Sequence, residues 1–175
     1  RDETHKVREH ARGLFQELAP DLEAPETPWE AWHLRFEFRL KDFYGSLAVS
    51  FLQEAEHCVH RATERFPERC TVMQLQLEGA KLYSLIPSGD QARISAQLRL
   101  LEDLAKGARS RSEPLLQDAL VLVPLHRASI PLAKGDLHGA REHLLEALRL
   151  ATKVGNMRLA TTVRINLVGI LMNPE

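Results

Sequence analysis

Apolar side chains recur every three or four residues along most of the chain, with polar and charged residues between them. This spacing places the apolar side chains on one face of an α-helix, and Leu, Ala, Glu, Arg and Gln, which favour helices, dominate these segments. Alternating β-branched runs, which indicate strands, are nearly absent. The pattern predicts an all-α protein of about eight helices, at residues 2–18, 29–44, 47–66, 71–86, 94–106, 115–133, 138–152 and 157–172.

Prolines mark most of the predicted helix ends. Residues 20–28 contain three prolines and form the clearest linker, and Pro28 suits the start of a helix. Pro67 ends the third helix, because a proline pushes the residue before it out of the helical region. Pro124 and Pro131 lie inside the sixth helix, where each removes a backbone hydrogen bond. A kink or an early end is therefore expected there.

Three interior turns contain a glycine, at Gly45, Gly89 and Gly135, which are 44 and 46 residues apart. A helix precedes and follows each turn, so the repeating unit is a helix pair. Such a period predicts a right-handed α-solenoid, in which stacked pairs bury their apolar faces jointly. The expected organisation is an N-terminal helix in residues 1–19 and repeats in residues 28–175, divided as 28–67, 69–107, 112–154 and a partial unit 155–175.

The third unit has the most distinctive sequence. Gly135–Asp136 is followed by Ala140, Leu144 and Ala147. This order resembles the second helix of a tetratricopeptide repeat, in which small side chains let two helix axes approach closely. The resemblance implies a stack of helix–turn–helix units that binds other proteins, with a concave face lined by the first helix of each pair.

Other segments resemble the same family less closely. Ala55 and Ala62, with Pro67 five residues later, resemble the second helix of an earlier repeat, whereas Ile94 replaces the first small residue after Gly89. The units are also longer than the usual length of about 34 residues. More narrowly, residues 135–170 resemble the C-terminal repeats of cohesin-loader regulatory subunits, which implies a place in a chromosome-associated complex. The matching residues are Ala140, Arg141, Leu144, Glu146, Leu148, Arg158, Leu159 and Ile170.

Composition narrows the possible partners and the compartment. The 23 basic and 24 acidic residues give a net charge of −1, which argues against direct binding to nucleic acid, since that needs an excess of positive charge. Two cysteines are too few for a small disulfide-stapled secreted domain, so the cytosol or nucleus is expected. No apolar run is long enough to cross a membrane. The chain starts without Met or a signal-type core, and we expect it to be part of a longer protein.

The most metal-like segment contains His57, Cys58 and His60. A structural zinc site needs four ligands, and the sequence offers no second cluster. We therefore interpret these residues as solvated histidines beside a small buried cysteine, and expect no metal or other cofactor. Phosphate-loop, dinucleotide-binding and nucleophile-elbow motifs are absent, so no catalytic residue is predicted and the chain is not expected to be an enzyme.

Aromatic residues concentrate between Trp29 and Tyr44. They could form a binding hot spot or the core of the first helix pair, and the core interpretation is favoured.

The expected function is that of a non-catalytic scaffold or adaptor, a subunit of a larger complex that holds an extended peptide or a helix of a partner protein in its concave groove. The candidate partner-binding residues are polar residues of the first helices: Arg35, Arg39, Gln74, Glu78, His126 and Arg127. The alternative is an effector-sensing helical-repeat module of a transcriptional regulator, which would bind a small molecule instead.

Overall fold

The computed structural model of the chain describes residues 27–108 and 114–172, together with Gly13. These residues form seven α-helices and no strand, which confirms the all-α prediction. Apart from Gly13, the predicted helix at residues 2–18 lies outside the described residues. The other seven are present to within about three residues at each end. The helices are α1 (Trp29–Ser46), α2 (Val49–Arg65), α3 (Thr71–Leu85), α4 (Gln91–Ala108), α5 (Pro114–Ala133), α6 (Leu137–Lys153) and α7 (Met157–Met172).

The same two-residue turn precedes three of the helices. At Gly89–Asp90, Gly135–Asp136 and Gly155–Asn156, the glycine adopts a positive φ of 67°, 76° and 75°, respectively. The Asp or Asn side chain then accepts a hydrogen bond from the backbone N–H three residues later, at 3.1, 2.8 and 2.9 Å. The glycine reverses the chain and the next side chain caps the new helix. We call these the Gly–Asx turns.

The first predicted turn is wrong in detail. Gly45 lies within α1, and the left-handed position belongs to Leu47, with φ 57°. The N–H of Leu47 donates to the carbonyl of Phe43 at 2.6 Å and so ends the helix. The turn therefore comes two residues later than expected, and the spacing of 44 residues between turn glycines does not hold.

For α5 the prolines predicted a kink or an early end, and the early end is wrong. The helix runs continuously through Pro124 and Pro131 to Ala133. It packs against α3, α4 and α6, and this tertiary packing outweighs the backbone hydrogen bonds that the two prolines remove.

Every pair of helices in extensive contact is adjacent or next but one in the chain. The most extensive contacts join α5 with α6, α1 with α2, and α6 with α7. The contacts of α3 with α4 and with α5 come next, and α3 also contacts α1. The buried apolar residues form four clusters: one from α1 to α3, one from α3 to α5, and two from α5 to α7. No single core gathers all seven described helices.

Small residues lie at the helix contacts, as their spacing predicts. Ala55, Ala62, Ala140 and Ala147 are each 0% exposed. An alanine at such a contact lets the backbones of neighbouring helices approach closely.

The aromatic residues of α1 confirm the core interpretation. Trp32, Phe36 and Phe43 are at most 1% exposed and pack against α2 and α3. Phe38 is half-buried. Tyr44 is 43% exposed, and its ring lies edge-on to that of Tyr83, with 5.8 Å between the ring centroids. This pair joins the surface of α1 to that of α3.

Within the described ranges, none of the helices has both the length and the apolar character needed to cross a bilayer.

Candidate functional site

Arg39, one of the six predicted binding residues, joins α1 to α2. Its Nε lies 2.7 Å from Oε2 of Glu54, in an ion pair that is not aligned as a hydrogen bond. The guanidinium carbon is 5.8 Å from the centroid of the Phe51 ring. Arg39 therefore faces α2.

Glu78 is the centre of a polar network that joins three helices. It accepts a hydrogen bond from Nε2 of Gln97 in α4 at 2.5 Å and one from Nζ of Lys81 at 3.0 Å. The same ammonium reaches Glu56 in α2 at 2.6 Å. Partial burial opposes the charge on Lys81, but the hydrogen bonds to Glu56 and Glu78 outweigh it and raise the pKa of the lysine.

Arg127 joins α5 to its neighbours on both sides. Its Nε and Nη2 lie 2.9 and 2.7 Å from Oε1 of Glu102 in α4, and Nη1 lies 3.9 Å from Glu146 in α6. Ion pairs at such half-exposed positions add little to stability. They nevertheless keep the guanidinium of Arg127 bound to carboxylates of this chain.

His126 is not on an open surface. It is 8% exposed, and its Nε2 has no hydrogen-bond partner among the described residues. The imidazole lies directly against Gly79 of α3, so close that a Cβ added there would overlap the ring. Burial lowers the pKa of His126 to about 4. The expectation of an accessible histidine is thus corrected: this ring fills the contact between α3 and α5.

The last two predicted residues, Arg35 in α1 and Gln74 in α3, are half-buried. The structure does not gather the six residues into one open polar surface, since three bind neighbouring helices and one is buried. Their role in partner binding stays a prediction.

A different surface brings the first helices together. The C-terminal ends of α1, α3 and α5, together with the start of α2, enclose an apolar groove of about 480 Å³. Four apolar side chains are well exposed there: Val49 (57%), Leu47 (53%), Tyr83 (38%) and Leu132 (38%). We call it the first-helix groove, and its lining residues are Phe43, Leu47, Val49, Tyr83, Ser84, Ile86, Pro87, Ser129, Leu132 and Ala133.

Leu47 reaches this groove through a strained backbone. Among the described residues it is the one non-glycine with a positive φ. A left-handed conformation costs an L-residue with a side chain about 1–2 kcal/mol, and such strain concentrates at functional sites. The sequence held one clue, since apolar residues fill the turn at 47–49, where polar residues are usual.

The lining chemistry limits what the groove can bind. Its lining residues include two serines and a tyrosine but no charged side chain. Its volume lies in the range of ligand pockets. Apolar side chains of a partner fit it better than charged groups do. A depression of about 500 Å³ lies between α5 and the start of α7, and one of about 340 Å³ lies between α4, α5 and α6. Both include charged residues.

The metal-like segment of α2 does not form a cluster. His57 and His60 are exposed, and Cys58 is 1% exposed. Burial raises the pKa of the Cys58 thiol to about 11. Across residues 27–108 and 114–172, no three His, Cys, Asp or Glu side chains are grouped so that they could hold a metal ion.

No protein-family model matches the sequence, and comparisons with curated proteins and with solved structures give no match to the chain. The function is therefore inferred from the groove and from the packing of the helices.

Proposed function

We propose that this chain is a non-catalytic protein-binding scaffold or adaptor, built from tetratricopeptide-like helix pairs in a right-handed α-solenoid. Three features support the stack: extensive contacts only between near neighbours in the chain, alanines at the helix contacts, and recurring Gly–Asx turns. In a solenoid, each unit contacts only its neighbours. The proposed units are residues 28–67, 69–107, 112–154 and a partial unit 155–175.

We further propose that the first-helix groove binds an apolar segment of a partner protein, as an extended peptide or a helix. The observation that carries this proposal is that α1, α3 and α5 contribute to one apolar concave surface. Exposed apolar patches framed by polar surface are typical of protein-binding sites. The strained Leu47 at this surface gives further support.

The same lining favours binding over catalysis. Ser84 and Ser129 line the groove, but no histidine or carboxylate lines it to act as their general base. Cys58 and Cys70 are free and buried, which suits the cytosol or nucleus. A place in a chromosome-associated complex follows only from the resemblance of residues 135–170, and it stays a prediction.

A small effector is the second candidate occupant, since about 480 Å³ is enough for one. A specific small-molecule site usually adds a few convergent polar groups to its apolar walls. Here the lining offers only the hydroxyls of Ser84, Ser129 and Tyr83. The groove chemistry thus favours the apolar side chains of a peptide.

The test is a peptide-display selection on the whole chain, followed by fluorescence anisotropy with the selected peptides. Leu132 and Leu100 provide a matched pair, because both are half-exposed helical leucines and only Leu132 lines the groove. Leu132→Ala removes apolar contact area worth about 1 kcal/mol and should weaken binding roughly fivefold. Leu100→Ala should change the affinity less than about twofold.

Leu47→Gly separates binding from folding. It relieves the left-handed strain, so the free energy of unfolding should stay constant or rise by up to about 1 kcal/mol. The same change removes an apolar contact and should weaken peptide binding about tenfold. Selected peptides that bind equally well to the wild type, Leu132→Ala and Leu47→Gly would refute the groove as the binding site.

A further inference from the structure

The last helix, α7, is apolar on two opposite sides. Its inner side packs on α5 and α6 through Leu159, Ala160, Val163, Leu167 and Ile170. Its outer side carries Met157, Ile165, Val168, Leu171 and Met172, which are 51–75% exposed. An apolar helix face of this size is normally covered, either by the protein itself or by a partner. Nothing in the described part of the chain covers the outer side, which we call the outer face of α7.

The charge of α7 has one sign. Residues 157–172 contain Arg158 and Arg164 and no Asp or Glu. Both arginines are exposed, and neither forms an ion pair within the described ranges. At 100° per residue Arg158 lies at one edge of the outer face, beside Ile165, and Arg164 lies within the face, between Leu171 and Val168. Whatever covers this face therefore meets two positive charges beside apolar side chains, and no negative charge from α7 itself.

A second copy of α7 does not meet this requirement. Two such helices packed face to face would bring arginines together and supply no carboxylate, and like charges at an interface oppose association. The complementary surface has an apolar stripe with acidic residues beside it. The exposed side chains of Ile165, Val168 and Met172 are spaced three and four residues apart, the spacing with which one helix engages another.

We propose that the outer face of α7 binds an acidic amphipathic helix of a partner protein, at a surface separate from the first-helix groove. Because α7 contributes no residue to that groove, the two surfaces can be occupied or disabled independently. The apolar stripe supplies affinity, and Arg158 and Arg164 select the sign of the partner's charge.

The test uses two synthetic helical peptides with the same leucine stripe, one flanked by glutamates and one by lysines, and measures binding to the whole chain by fluorescence anisotropy. The glutamate peptide should bind more tightly, and raising the salt from roughly 50 to 500 mM should reduce that preference because salt screens exposed charges. Val168→Glu should weaken binding of the glutamate peptide by about tenfold or more. Leu100→Glu is the matched control on α4 and should leave the binding unchanged.

Arg164→Glu keeps the apolar side chains of the outer face and reverses one of the two positive charges of α7. It should lower the affinity for the glutamate peptide about fivefold and raise that for the lysine peptide. Equal binding of the two peptides overturns the proposal, as does binding that survives Val168→Glu. A concentration-dependent dimer that Val168→Glu abolishes assigns the outer face to a second copy and also overturns it. The groove variants Leu47→Gly and Leu132→Ala should not affect these peptides, so failure here is distinguishable from failure of the proposed function.

Discussion

Gly79 allows α3 and α5 to meet, and Gly79→Ala tests that contact. A Cβ at this position would lie 2.5 Å from Cδ2 of His126 and closer still to its Nε2. Real Cβ atoms do not approach other heavy atoms so closely, so the ring or the helices must move. His126 is 8% exposed and has little room to swing aside in a close-packed interior.

Two opposing effects set the size of the change. Alanine in a helix interior is more favourable than glycine by about 1 kcal/mol. Inserting a methyl group into a filled contact costs about 1–3 kcal/mol. Gly79→Ala should therefore lose up to about 2 kcal/mol of the free energy of unfolding once the gain in helix propensity is subtracted.

Gly169→Ala is the matched control, because Gly169 is also helical and a Cβ there meets nothing within 4 Å. Urea unfolding followed by circular dichroism should place Gly169→Ala above the wild type and Gly79→Ala about 1–3 kcal/mol below that control. With His126→Ala as the background, Gly79→Ala should become stabilising, because the methyl group fills space that the ring has left. If the two glycine variants are equally stable in the wild-type background, the close contact between α3 and α5 is refuted.

Three further predictions concern the buried side chains. Ala147→Leu should overpack the contacts of α6 and cost about 1–3 kcal/mol in thermal or urea unfolding, whereas the exposed Ala96→Leu should stay within about 0.5 kcal/mol of the wild type. Burial lowers the folded-state pKa of His126 from 6.5 to about 4, so the unfolded state binds a proton first as the pH falls. The free energy of unfolding should therefore fall by up to about 3 kcal/mol as the pH drops from about 6.5 to 4. This fall should be shallower in His126→Gln, and an unchanged slope would contradict the burial of the ring. Burial also raises the pKa of the Cys58 and Cys70 thiols, so neither should react with a thiol reagent near pH 8 until urea unfolds the chain, and rapid labelling of the native protein would show that they are accessible.

The helices could be predicted because their boundaries depend on local chemistry. Gly89–Asp90 and Gly135–Asp136 each combine a residue that tolerates positive φ with one that caps a helix, and both are readable from neighbouring letters. The turn at Leu47 could not be predicted, because a leucine in the left-handed region contradicts local preference and persists only through its surroundings.

The candidate site was harder to predict, because it depends on which helices meet. Arg39, Glu78 and Arg127 lie on α1, α3 and α5. Arg39 and Arg127 pair with carboxylates of other helices, and Glu78 binds Lys81 of its own helix and Gln97 of α4. The sequence pattern predicts on which face of its own helix a residue lies, but it does not predict which residue of another helix lies opposite. The same holds for His126, which lies against a glycine 47 residues earlier in the chain. The first-helix groove likewise arises from three separate helix ends.

The buried residues form separate clusters between neighbouring helices, and this affects how the molecule unfolds locally. The cluster built on Trp32 and Phe36 contains no residue of α6 or α7, and the cluster around Leu144 contains none of α1 or α2. When stability is distributed in this way, segments exchange their amide hydrogens through separate local openings instead of one global event. Damage at one end should thus loosen that end first and leave the amides at the opposite end protected.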